Sequence, residues 1–189
     1  MLALSSYALD RESIKLDLYR LICLFHANKE IARRSDPTHE YPDAAAQLER
    51  KFFPREMSRL LLSIAIGLRT LDDQMNRLSV DSPERIKYLA ARDRANRYRC
   101  MMFDEMPLRE VCNKIVHANV VEPHTKEGVE PHEYDLLAWE ESIDAASIGW
   151  EHLSGNIRLG GNKGREQWWH LLEVPTFVEA VHEQLTDSE

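Results

Sequence analysis

Arg109, Asn113 and His117 follow one another at intervals of four in the segment LREVCNKIVHA, residues 108–118. Residues four apart share one face of an α-helix, so these three side chains make a narrow polar stripe on the side away from Leu108, Cys112 and Ile115. Such a stripe has the parts of a phosphate site. Arginine brings a permanent charge and a forked donor. Histidine titrates near neutral pH and serves as a base or an acid. Asparagine orients the imidazole or donates to a phosphate oxygen. The same spacing also describes an ordinary polar face, with Arg109 and Asn113 in water and His117 favoured by the dipole near a helix C-terminus.

Two further groups could support that stripe. In the segment Arg69-Thr70-Leu71-Asp72-Asp73, Arg69, Asp73 and Arg77 are four apart, a ladder for i,i+4 ion pairs. Asp72 lies at the edge of an apolar stripe, is expected to be half-buried, and then needs a donor from a neighbouring helix, His117 or Arg109. The alternative is a plain structural salt bridge. Arg85, Arg92 and Arg99 recur every seven residues beside Tyr88 and Tyr98. Arginine with aromatic neighbours suits single-stranded RNA, through phosphate pairing and base stacking. The alternative is a set of snorkelling arginines paired with acids of the 122–151 segment.

These residues need helices to position them. Ile14, Leu18, Leu21, Ile22 and Phe25 predict a helix over 10–34. Ser35–Pro42 reads as a loop, followed by a short helix to about Phe53, with Pro54 kinking it or opening the next. Met57, Leu61, Ile64, Leu68, Leu71, Met75 and Leu78 predict the strongest helix, 54–79. Ser82-Pro83-Glu84 is a helix start with an N-cap oxygen, and the helix is expected to reach about Phe103 with Tyr88, Ala91, Ala95, Tyr98 and Met102 inward. Pro107 opens another helix to about Ala118. Val120–Glu133 reads as a loop, and Leu136–Ser147 is ambiguous. The alternations Leu153, Ile157, Leu159 and Trp168, His170, Leu172, Val174 flank GGNKG (160–164), a β-hairpin signal. Thr176-x-x-Glu179 resembles a capping box for a closing helix. The expected fold is mainly α: an antiparallel bundle of four to five helices with a small C-terminal hairpin, whose tryptophans seal against the helices. One domain covers 1–189, helical to residue 120, with loop, hairpin and closing helix over 121–189.

Bulk properties narrow the functional classes. The formal net charge of −8 argues against a general nucleic-acid coat. Residues 85–117, however, hold eight Lys/Arg against four acids, a local +4, while 122–151 hold nine acids and one lysine. An acidic total therefore conceals a basic face. Three widely spaced cysteines without a CxxC pair read as reduced core thiols, which favours a reducing compartment. With no basic leader and no long apolar run, the expectation is a cytoplasmic protein without a membrane partner. His124 and His132 lack zinc spacing, and no P-loop, GxGxxG or nucleophile elbow occurs, so no metal or cofactor is expected.

LREVCNKIVHA together with IGLRTLDDQ (66–74) resembles the HEPN superfamily of helical-bundle proteins. That family contains metal-independent endoribonucleases of toxin–antitoxin and other defence systems, and also non-catalytic members. Its signature is an arginine followed four to six residues later by a histidine. In active members these residues of two subunits meet at a dimer interface. His117 matches the family histidine. Seven residues separate Arg109 from His117, and positions 110–112 are Glu, Val and Cys. The resemblance implies an RNA-binding homodimer. In a catalytic member His117 would deprotonate a ribose 2′-hydroxyl, Arg109 would stabilise charge on phosphorus and Asn113 would position the phosphate, leaving a 2′,3′-cyclic end. The rival expectation is a non-enzymatic dimer or partner-binding module with a structural polar stripe.

Overall fold

The computed structural model describes residues 10–35, 43–130 and 149–186. Helix α1 (Arg11–Arg34) is capped by Asp10, whose carboxylate accepts from the backbone N–H of Glu12 at 3.0 Å and Ser13 at 3.3 Å. Helix α2 (Ala44–Arg77) is capped by Asp43 and runs for 34 residues without interruption at Pro54. The predicted break there does not occur. Phe53 and Met57, on either side of the proline, are both buried, and Phe53 meets Phe25 of α1 edge-on at 5.6 Å. Burial on both sides outweighs the one hydrogen bond that the proline removes.

Helix α3 (Pro83–Ala95) starts where expected, but Ser82 makes no side-chain cap. It ends eight residues before Phe103, because Asn96 turns inward and its Oδ1 accepts from the backbone N–H of Leu108 at 2.8 Å. Asn96 thereby caps helix α4 (Leu108–His117). The chain after Asn96 runs beside the sheet, and Met101 is buried in place of the predicted Met102. Tyr98 is half-buried.

Three strands follow: β1 (Val120–Glu127), β2 (Glu151–Lys163) and β3 (Glu166–Glu173), antiparallel in the order β1-β2-β3. The hairpin is therefore two-thirds of a sheet, and the predicted loop after Val120 is its edge strand. The register shifts between Pro123 and Thr125, so the proline sits at an irregularity where a missing N–H is tolerated. The β2–β3 turn is Gly164-Arg165, with Gly164 at φ +65°, one step beyond most of the GGNKG signal. Gly160 and Gly161 lie within β2, opposite Trp169 and Trp168. Helix α5 (Val174–Thr186) begins straight after β3. The predicted capping box is not made: Thr176 donates to the Glu173 carboxylate at 2.6 Å.

The protein is thus mainly α, and one apolar core joins helices and sheet. Leu21, Leu60, Ile64 and Leu71 meet Ile157, Leu159 and Leu172 of the sheet and Phe177 of α5 in it. Among the tryptophans, Trp150 is buried and half-buried Trp168 lies against α4, with Lys114 Nζ 4.7 Å from its ring centroid. Trp169 does not seal against helices. It is 48% exposed on the outer face, stacked under the Arg158 guanidinium at 4.7 Å. Trp139, His132, the ambiguous 136–147 stretch and residues 36–42 of the predicted loop lie outside the described residues. No described helix is long and apolar enough to cross a membrane.

Candidate functional site

The centre of the site is Asp72, which is 3% exposed rather than half-buried. Helix α2 turns it away from solvent between Leu68, Leu71 and Met75. A carboxylate so placed must be compensated by donors. Tyr88 Oη of α3 donates to it at 3.2 Å and Arg92 Nη1 of α3 at 3.3 Å. Arg109 Nη1 of α4 donates to its other oxygen. Tyr88 in turn accepts from Gln184 Nε2 of α5 at 2.5 Å. Four helices are thereby joined through one carboxylate. Burial, and then the charge of Asp72, push the Tyr88 phenol well above its ordinary range, which holds it as a neutral donor.

Arg109 is committed to this network. Its second terminal nitrogen donates to Asp73 Oδ1 at 2.8 Å, so the guanidinium bridges two carboxylates of α2. Partial burial opposes its charge, and the bonds to Asp73 and Asp72 outweigh that and hold the proton more tightly than usual. The predicted ladder is replaced, because Asp73 reaches across to α4. No described ion pair joins it to Arg69 or Arg77. Arg69 lines the same centre with its Nε buried and unbonded among the described residues.

The remaining stripe residues do not converge on Arg109. Asn113 Nδ2 donates to Glu110 at 2.8 Å, and its Oδ1 is buried without a described partner. The His117 side chain is exposed and makes no hydrogen bond to a described residue, and its carbonyl faces Gly161. Eight residues of helical rise separate it from Arg109 by about 12 Å along the axis. The hollow between α2, α3, α4 and α5, lined by Arg69, Asp72, Arg92, Arg109, Cys112 and Gln184 among others, holds about 10 Å³. That is about the space of one water and too small for a phosphate.

The expected basic stripe is also dispersed. Arg85 Nη1 donates to the Leu78 carbonyl at the end of α2 at 2.8 Å. Arg92 serves Asp72. Arg99 lies beyond the end of α3 and pairs with Glu105 at 2.6 Å. None of the three pairs with the 122–151 acids among the described residues. Tyr88 is wholly buried and offers no stacking face.

Gln184 is the member of the site that sequence reasoning missed. Its signal was present: it shares the apolar face of α5 with Phe177, Ala180, Val181 and Leu185, so it had to be a buried polar group in need of a partner. Among the described residues no cluster of His, Cys, Asp and Glu could hold a metal. No protein-family model, no curated protein and no solved structure matches the chain.

Proposed function

We propose that the chain is a HEPN-like antiparallel helical bundle that acts by binding, as a non-enzymatic homodimeric module, with its polar stripe serving the architecture. The observation that carries this reading is the double engagement of Arg109 by Asp72 and Asp73. A guanidinium bridging two carboxylates, one of them buried, is not free to meet the charge of a pentacovalent phosphate. The positions from which the family signature would place an arginine, 111 to 113, hold two buried apolar side chains, Val111 and Cys112, and Asn113, which donates to Glu110.

A second copy is favoured as partner by the outer face of α2. Leu48, Phe52, Leu62 and Ile66 fall on one stripe of this helix and are all exposed, Leu62 by 40% and Ile66 by 52%. Asp73 continues the same stripe. Light scattering is expected to give twice the 22.0 kDa chain mass. Leu62→Glu and Ile66→Glu are expected to give single chains of unchanged melting temperature. Incubation with mixed RNA in EDTA is expected to leave the RNA intact. Metal-independent cleavage that disappears in His117→Ala would overturn the reading and establish the RNA-cleaving alternative.

A further inference from the structure

Where α3 stops, the residues Arg97, Tyr98 and Arg99 leave the helical register and line a concave surface. Two hollows adjoin there. One, of about 340 Å³, is bounded by Arg97, Tyr98, Arg99, Met106 and Pro107, with Glu105 also in its wall. The other, of about 370 Å³, is bounded by Arg97, Tyr98, Arg94 and Glu183. Each lies within the size range of a small-molecule site, about 300–1,000 Å³. Arg97 and Tyr98 line both.

The electrostatics single out Arg97. It is exposed and has no ion pair among the described residues. By contrast Arg85 and Arg92 are held by Leu78 and Asp72, and Arg94 pairs with Glu183 at 2.6 Å. Arg99 pairs with Glu105, but the two side chains are 76% and 75% exposed. A pair so solvated contributes little and exchanges readily for another anion. Two guanidinium groups are thus open to an anion in a hollow shared with a half-buried aromatic ring, next to the apolar wall of Met106 and Pro107.

We propose that Arg97, Tyr98 and Arg99 form a subsite for single-stranded nucleic acid. One base stacks on Tyr98, and the phosphodiesters to either side are met by Arg97 and Arg99. Two adjoining hollows with shared walls fit two consecutive nucleotides of a strand better than one free nucleotide. Glu105 and Glu183 on the rim disfavour a polyphosphate and tolerate the single charge of a phosphodiester. This subsite is separate from the Asp72 network and from the α2 stripe, so it does not depend on the dimer.

The test is fluorescence anisotropy with a 5′-labelled 12-nucleotide oligoadenylate RNA. Binding is expected to weaken about sevenfold between 50 and 200 mM salt, as for two neutralised phosphates. Arg97→Ala is expected to weaken binding at least fivefold with an unchanged melting temperature. Tyr98→Leu is expected to lose about five- to tenfold, at the weaker end of base stacking. Tyr98→Phe, which keeps the ring, stays within twofold, and so does Arg165→Ala at the hairpin turn. Leu62→Glu should bind as the parent does, which separates this result from the dimer test. Absence of strand binding at 50 mM salt overturns the proposal, as does equal affinity of the parent, Arg97→Ala and Tyr98→Leu. Adenosine monophosphate binding as tightly as the strand overturns the assignment to a strand.

Discussion

Asp72 and Asp73 are neighbours in sequence and both receive Arg109, yet their surroundings differ. Asp72 has almost no access to water and takes donors from two other helices, whereas Asp73 is half-exposed. The two pairs should therefore differ in weight. Asp72→Asn leaves Arg92 and Arg109 facing a neutral amide and is expected to destabilise the fold by about 3–5 kcal/mol, the range for breaking a buried ion pair. Asp73→Asn is expected to cost less than about 1 kcal/mol, as for solvated pairs. Urea unfolding of the two variants checks this, and similar midpoints would show that Asp72 is not the centre of the network. Asp72→Asn combined with Arg109→Met should fall short of the sum of the single effects, because the groups act together. The need of Asp72 for a donor, and Arg109 as one source, were legible from spacing. The commitment of Arg92 and Tyr88 to the same carboxylate was not, because it depends on how α3 lies across α2, a long-range packing choice without a local sequence signal.

Among the elements, the sheet shows how a small residue sets a contact. A Cβ at Gly160 would lie 2.2 Å from the ring of Trp169, and one at Gly161 would lie 2.3 Å from Trp168 and 2.9 Å from the His117 carbonyl. Trp169 is on the outer face and can swing into solvent, whereas the backbone at the end of α4 cannot move aside. Gly161→Ala is therefore expected to destabilise by about 1–3 kcal/mol, the usual range for overpacking, and Gly160→Ala by clearly less. Thermal melting of the pair distinguishes them, and equal losses would contradict the assignment of the two faces. The hairpin was readable because alternation and glycine-containing turns are local signals. Strand β1 was not, since Pro123 and Gly128 mimic loop punctuation and the strand exists only by pairing with β2. The overlong α3 has the same origin: Ala95 to Phe103 keeps helical periodicity, but the cap that Asn96 gives α4 and the hydrogen bonds of Cys100 and Met102 to β3 decide otherwise. Local pattern thus located α1, most of α2 and α4, and failed where a tertiary partner redirected the chain.

For the whole molecule, the convergence of helices and sheet on one core fixes how stability responds to alkali. Cys112 is wholly buried beside the Asp72 network, and Cys100 is buried in the segment between α3 and α4 that runs beside β3. Burial pushes the Cys100 thiol up to about 12 and raises that of Cys112, and Tyr88 is raised for the same reason, assisted by Asp72. In the unfolded chain these thiols ionise near their ordinary value of 9.0. Above that pH the unfolded state binds fewer protons than the folded one, so stability falls as pH rises, by about 1.4 kcal/mol per pH unit for each thiol. Below pH 9 this contribution is fully present, and it declines until the folded thiols themselves ionise. The urea midpoint, under reductant, is thus expected to correspond to a loss of about 3 kcal/mol at pH 10 relative to pH 7.5, with Tyr88 adding to it above pH 10. Cys112→Ala should lower stability at pH 7.5 through its small cavity, yet remove about half of the alkaline loss. A parent midpoint unchanged between the two pH values would mean that water reaches the thiols and that the core joining α4 to the sheet is open. An alkaline loss without the relief in Cys112→Ala would move the effect away from the Asp72 network. The parent and Cys112→Ala together therefore test whether the polar centre and the apolar core are one closed unit, as an architectural role for Arg109 requires.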